Sequence, residues 1–468
     1  MTEIWKMGAM DIADAIRTKK VSCREVIQAH LDRIEDVNPS INAVTVLLAE
    51  SALEAADEAD KKLFEGKDIG PLHGVPMTVK ENIDLTGSAT TNGIVLFKDA
   101  YPPSDAPHIA QLKAAGVIPI GRTNTPDLGM RWHTDNALRG ATKNPWDAGR
   151  TPGGSSGGDA AALATGMTPL GMGNDYAGSL RWPSQCCGTT ALRTTLGRIA
   201  KASAFENTPN PPLALQLFAV HGPMARHVRD LRIALRHMSG PDPRDQWWVP
   251  APLDGPKPDH PIPVAVTVDP GNMGVDPNIA AAVRKAAQAL SEAGYAVEEV
   301  EPPSIARGAE LYFQLITSHG QTQRAFPIEE LVSEGLLRFQ EAHSEAITAF
   351  MGEASPDGFA ERIGIAKAWG KFQAKWPLIL GPVSAMQPFP VGFDMKGTDE
   401  SMTWLRSIRL IVIVNMLGLP SVAVPTGIAE GLPQGVQIIG QRYREDLCLD
   451  AAEAIESRLG AITPIDPR

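Results

Sequence analysis

Two glycine clusters, each enclosing serine, share the stretch from Gly149 to Ile199, GRTPGGSSGGDAAALATGMTPLGMGNDYAGSLRWPSQCCGTTALRTTLGRI. Glycine has no Cβ, so it reaches positive φ and lets backbone N–H groups approach a ligand closely. Both clusters can therefore form tight functional turns, and the alanine-rich segment between them reads as a short helix. Taken singly, each cluster reads equally well as an ordinary surface turn. Any fold for this chain has to hold two such turns on either side of a helix.

The flanking sequence supplies a scaffold. Residues 9 to 65 read as helices, because Ile12, Ile16, Val26, Leu31 and Ile34 recur at helical spacing and SALEAADEADKKL consists largely of helix formers. From Gly70 the texture changes to short β-branched runs and glycine-rich turns, with VPMTVK and GVIPIG as strands. Further on, a strand at Val264 to Val268 precedes a helix capped by Asp276, with Pro277 in its first turn and an end at Gly294; the strand-like AVEEVE follows. That β-α-β rhythm predicts an α/β fold, a parallel or mixed sheet covered by helices on both faces. With 468 residues, 43% of them hydrophobic, a sizeable core is assured. The expected organisation is a helical lead-in over 1–65 and a single α/β domain over 66–468. The chemistry-bearing core runs from about 70 to 229, and a proline-rich surface connection occupies 240–261.

Composition excludes several functions. Acidic residues outnumber basic ones by 54 to 43, for a formal charge of −11, and no Lys/Arg run offers a phosphate-binding stripe, so no nucleic-acid partner is expected. Four irregularly spaced cysteines make neither a disulfide framework nor a CxxC metal site, which fits a reducing cytoplasm. The start, MTEIWKMGAMDIADAI, lacks the continuous apolar run of a signal peptide. The most apolar later stretch, Leu410 to Val424, is interrupted by Asn415, Gly418 and Pro420, so it reads as buried core, and no membrane partner is expected.

Nucleotide binding fails on spacing. GMGNDYAG has Tyr176 where the dinucleotide fingerprint needs glycine, and neither cluster ends in GK[ST]. GGSSGG does satisfy G-x-S-x-G around Ser155 or Ser156, but a nucleophile elbow must follow a strand, and NPWDAGRTP is a poor one; that reading ranks second among hydrolases. No histidine pattern singles out a base. Lys80 is the candidate instead: it ends an apolar strand-like run, where desolvation would lower its pKa, although a snorkelling strand-end lysine is the plainer reading.

A resemblance carries the reading further. GPLHGVPMTVKENID, TPGGSSGGDAAALATG and GNDYAGSLRWPSQCCGTTALRTTLGRI resemble the amidase signature family in order and separation, with Ser155 75 residues after Lys80 and Ser179 24 after Ser155. The similarity extends to GRTNTPDLGM, to HGPMARHVRDL and to NMLGLPSVAVPTGIAEGLPQGVQIIG, and is weak over 240 to 400. It implies an amidase that hydrolyses a small carboxamide through an acyl-enzyme and needs no cofactor. Ser179 matches the nucleophile, Ser155 the serine after a cis peptide, and Lys80 the base. The N–H groups of Tyr176, Ala177, Gly178 and Ser179 match the oxyanion loop. Membership also allows a homodimer.

Departures qualify the match. Ala177 stands where the family has a glycine, and Tyr176 replaces a small or aliphatic residue. Met130, Trp132, Tyr176 and Trp182 are candidates for an apolar substrate mouth favouring a neutral aryl or acyl amide, with core packing as the plainer reading for such aromatics. Asp175 and Arg181 are expected to hold the loop, Ser156 and Thr151 to support it, and Cys186 and Cys187 to be buried small apolar residues. The runner-up function is the glutamine-hydrolysing catalytic subunit of a tRNA-dependent amidotransferase, where the motif resembles GGSIRQPA rather than AGSLRWPS. An inert scaffold on the same fold predicts loss of a triad residue, and none is lost.

Overall fold

The structure, a computed structural model, describes residues 3–205, 210–256, 258–259, 261–320 and 328–468. Among these, eleven strands form one sheet: β1 (Val44–Leu47), β2 (Pro76–Lys80), β3 (Ile118–Thr123), β4 (Leu170–Asp175), β5 (Thr190–Arg193), β6 (Val220–Ala225), β7 (Pro263–Val266), β8 (Ala296–Glu299), β9 (Leu378–Pro382), β10 (Ser421–Ala429) and β11 (Leu432–Gly440). Their order is β1-β3-β2-β4-β6-β5-β10-β11-β9-β7-β8. β3, β2 and β4 run parallel, as do β9, β7 and β8, while the strands between them pair antiparallel, so the sheet is mixed. Every residue of β2 and of β11 is buried, as expected of strands covered on both faces.

The strands expected at VPMTVK and GVIPIG are β2 and β3. The predicted β-α-β unit is β7, the helix Pro277–Glu292 and β8, with Asp276 Oδ1 accepting from Asn278 N at 2.8 Å as the cap. NPWDAGRTP forms no strand. The apolar stretch from Leu410 becomes the buried helix Arg409–Leu417 and the start of β10. Residues 240–261 carry no helix or strand among those described; Lys257 and His260 of that connection lie outside the described residues.

The first 65 residues differ from expectation. Helices Ala9–Arg17, Cys23–Ile41 and Ala49–Phe64 are present, but between the last two lies β1, one of the sheet's two edge strands, antiparallel to β3. Asn42, in the left-handed region at φ 57°, ends the second helix, and Asn38 Oδ1 accepts from the N–H groups of Ala43 and Val44 at 2.8 and 2.9 Å. Side-chain capping thus turns the chain into a four-residue strand too short to stand out against two long helical stripes.

Candidate active site

Lys80 is the last residue of β2, and the strand carries its stem into the protein until the amine is wholly buried. Its Nζ lies 2.7 Å from Ser155 Oγ and 3.0 Å from Ser156 Oγ, and donates to Asn174 Oδ1 at 3.0 Å. Asn174 in turn donates to Asn82 Oδ1 at 3.0 Å. Burial pulls the Lys80 ammonium down to about 7, partly offset by the nearby Asp159 and Asp175 carboxyls. Burial also raises Asp159, whose Oδ1 accepts from Thr123 Oγ1 at 2.8 Å. A neutral amine has two N–H donors and one lone pair. Asn174 Oδ1 accepts one N–H and Ser156 Oγ can accept the other, which leaves the lone pair for the hydroxyl of Ser155.

Ser155 and Ser156 sit just ahead of the helix Gly157–Ala164, and the peptide between Gly154 and Ser155 is cis. Gly129 faces Ser155 from the loop after β3: it has φ 68°, and a Cβ there would stand 3.2 Å from Ser155 Oγ. Only glycine leaves that hydroxyl uncovered without backbone strain.

The second cluster forms the turn from Asp175, at the end of β4, to Ser179. Gly178 has φ 91°, and a Cβ would lie 2.6 Å from Ile411 Cγ2, so the residue before Ser179 must be glycine. Five consecutive carbonyls of this turn are anchored. Asp175 O accepts from Arg193 Nη1 at 2.8 Å, and Tyr176 O from the Tyr312 hydroxyl at 2.9 Å. Ala177 O accepts from Trp132 Nε1 at 2.9 Å, Gly178 O from Trp182 N at 2.8 Å, and Ser179 O from Ser156 N at 3.2 Å. The Gly178 N–H is also engaged, by Asp175 Oδ1 at 2.9 Å. It therefore leaves the expected set of four oxyanion donors, because the carboxylate that shapes the turn already holds it. The N–H groups of Tyr176, Ala177 and Ser179 have no acceptor among the described residues. These three N–H groups stand unclaimed around Ser179.

The turn is braced as expected of Asp175 and Arg181. Arg181 donates to Asp175 through Nε at 3.0 Å and Nη2 at 3.1 Å, and to Gln437 Oε1 and Asn415 Oδ1 at 2.9 and 2.6 Å. Asn415 Nδ2 reaches Asp175 Oδ1 at 2.8 Å. Two arginines and these donors hold the Asp175 carboxyl far below the usual carboxylate range. Thr151 supports the first cluster, its hydroxyl 3.0 Å from both His133 Nδ1 and the N–H of Gly153. Cys186 and Cys187 are fully buried, and burial raises both thiols.

Of the four mouth candidates, Tyr176 and Trp132 are half-buried, and Met130 is 39% exposed. Trp182 is a correction. It is fully buried, 4.8 Å from the Trp404 ring and 5.8 Å from that of Phe389, with Nε1 donating to Trp132 O at 3.1 Å. The helix Arg181–Cys187 that carries it is buried on every side, so Trp182 is core beneath the mouth. Sequence reasoning passes over Asn174, Gly129 and Tyr312. Asn174 lies within the quoted motif and could be found there; Tyr312 arrives from 136 residues away, and nothing local marks it.

A family model described as Amidase matches residues 25–449. The chain belongs to the amidase signature family. This amidase is 44% identical to an indoleacetamide hydrolase of Bradyrhizobium diazoefficiens, over 98% of its own length and 88% of the relative's. It is 32% identical to a glutamyl-tRNA(Gln) amidotransferase subunit from Alkaliphilus metalliredigens, over 98% and 97%. Its fold matches the structure of a 6-aminohexanoate cyclic dimer hydrolase complexed with substrate, with a TM-score of 0.79 at 28% identity over 99% of both chains. The amidase is an amidohydrolase acting on carboxamides. Among the described residues no helix is long and apolar enough to cross a membrane.

Proposed function

We propose that this amidase hydrolyses a neutral arylacetamide to carboxylate and ammonia through an acyl-enzyme on Ser179. The observation that carries the reading is the buried Lys80 amine against Ser155 Oγ, beside a turn with three unclaimed N–H groups. Ser179 Oγ attacks the amide carbon and its proton passes through Ser155 to the Lys80 lone pair. The developing oxyanion is taken up by the N–H groups of Tyr176, Ala177 and Ser179. Lys80 then returns the proton through Ser155 to the leaving nitrogen, which departs as ammonia. Water, activated by the same relay, cleaves the ester and frees Ser179. A neutral amine is needed at the start, and an ammonium with three donors holds the intermediate state equally well in the same cradle.

The aryl preference rests on Trp132 and Tyr176, whose half-buried rings flank the turn, with the exposed Met130 nearby in the chain. The name of the Bradyrhizobium relative points to an indole-bearing acetamide as its substrate, and 44% identity supports the same class here. The amidotransferase reading is weaker, with lower identity and AGSLRWPS in place of GGSIRQPA. Four buried, unpaired cysteines support a reducing setting such as the cytoplasm.

The test is ammonia release by the purified chain alone from indoleacetamide, phenylacetamide, an aliphatic amide and glutamine, with Ser179→Ala as control. Arylacetamides should have the highest kcat/KM, and Ser179→Ala should abolish turnover with folding intact. A preference for glutamine would restore the amidotransferase reading. Full activity in Ser179→Ala, lost instead in Ser156→Ala, would replace this mechanism with an elbow at the first cluster.

A further inference from the structure

The N–H groups of the turn at Ser179 can serve an oxyanion only if their peptide planes stay fixed, and the turn's own carboxylate fixes only that of the Gly178 N–H. A trans peptide points the carbonyl of one residue and the N–H of the next in opposite directions. A donor that holds the carbonyl therefore aims the following N–H the other way. The Tyr312 hydroxyl on Tyr176 O thus aims the N–H of Ala177 away from Tyr312. The Trp132 indole on Ala177 O does the same for the N–H of Gly178, and that N–H indeed meets Asp175 Oδ1 on the far side. The other anchors of the turn are backbone amides, the Asp175 carboxylate and the buried side chains of Arg193 and Asn415; these two are aromatic side chains brought in from distant segments.

We propose that Tyr312 is a positioning residue for the oxyanion site, acting with Trp132 as a clamp that fixes the Tyr176–Ala177 and Ala177–Gly178 peptide planes. The proposal rests on the reading of Ser179 as nucleophile. Tyr312 is fully buried on the helix Ile305–Gly320 and spends its hydroxyl on the turn, so it does not touch substrate. Its ring is held 5.6 Å from Phe218 and 6.1 Å from Tyr176, which fixes the direction of its hydroxyl. Burial also raises the phenol well above its ordinary range, so it remains a donor throughout the working pH range. Trp132 differs in being half-buried, with its other contacts to Phe339, His343 and Trp404. It joins the substrate wall to the oxyanion turn, so an acyl group seated on the indole bears on the Ala177 carbonyl.

The clamp predicts a loss confined to the tetrahedral state. In Tyr312→Phe the ring and its packing remain, and only the hydrogen bond to Tyr176 O is removed. Losing one oxyanion donor outright costs about a hundred- to a thousand-fold in kcat, so a loosened donor should cost roughly ten- to a hundred-fold, with KM little changed. Affinity for an arylacetone trifluoromethyl ketone, which forms a tetrahedral adduct with a serine, should fall by the same factor. Affinity for the arylacetate product should not. Trp132→Phe frees the neighbouring carbonyl, but the Gly178 N–H of that plane is still held by Asp175 Oδ1, so its loss in kcat and ketone affinity should be smaller, with an added change in KM from the altered wall. Urea unfolding of both variants guards against general damage. Unchanged kcat and ketone affinity in Tyr312→Phe would overturn the clamp, as would an equal loss for ketone and product. If the wild type itself neither cleaves arylacetamides nor binds the ketone, the fault lies in the proposed function instead.

Discussion

Replacing Asp175 with asparagine removes one oxygen and one charge from a site with no room for either loss. The carboxylate is fully buried and accepts from Arg181 Nε, Arg181 Nη2, Asn415 Nδ2 and the N–H groups of Gly178 and Leu180, at 2.8 to 3.3 Å. Arg193 adds a second buried guanidinium, its Nη1 3.5 Å from Asp175 Oδ1. An asparagine can present its oxygen to Gly178 N and Asn415, but its NH2 then faces Arg181 Nε and Leu180 N, donor against donor. Breaking a buried ion pair from one side costs about 3–5 kcal/mol. That is a large part of the roughly 5–15 kcal/mol by which a folded domain is stable. We therefore expect Asp175→Asn to lower the urea midpoint strongly at neutral pH and to remove most amide turnover, since the same carboxylate holds the N–H of Gly178. The pH dependence has a definite sign. The native carboxyl titrates far below its unfolded value of about 3.9, so its contribution is present above that value and lost as pH falls toward the native one. The stability gap between wild type and variant should accordingly be widest near neutrality and narrow below about pH 4. A variant with an unchanged urea midpoint and kcat within about two-fold of wild type would refute the assignment of Asp175 as the brace of the turn.

Amide turnover should rise with pH through about 7, because Lys80 is protonated below that value and neutral above it. Lys80→Ala should lose this rise and harm amides more than activated esters, whose leaving group needs less protonation; parallel pH–rate profiles on an arylacetamide and its nitrophenyl ester check both. Gly129→Ala places a methyl 3.2 Å from Ser155 Oγ at φ 68°, so it should cost about 1–2 kcal/mol in urea unfolding and lower kcat at least ten-fold. Full activity would show that Ser155 is approached from another side.

What the sequence makes legible is local. Lys80 is only half legible: the apolar run VPMTV buries its stem, but a snorkelling amine is the plainer local reading. It is the resemblance that singles it out as the base, and the structure gives it a fully buried amine. The two turns can be placed because glycine at Gly153 and Gly178 adopts positive φ, and such positions leave a compositional trace. Strand β1 is hidden because four residues between two amphipathic helices give no period of their own, and its capping depends on Asn38 reaching forward to Ala43 and Val44.

The assignments that fail or go unseen share another cause. Trp182 reads as mouth because an aromatic beside a nucleophile looks like a pocket wall, yet Phe389 and Trp404 come from far along the chain to enclose it. The Gly178 N–H counts as a free donor on the motif alone, because the motif shows the turn and not its occupant; the carboxylate three residues earlier claims it. In both cases the local pattern says which groups are near the reaction and is silent on which of them are already engaged. Engagement is decided by tertiary partners: Tyr312 from one helix, Asn415 from another, Gln437 from a strand. A turn of this composition could be built in many proteins. For it to serve as the proposed oxyanion site, partners must claim its carbonyls and leave the right N–H groups with nothing to hold.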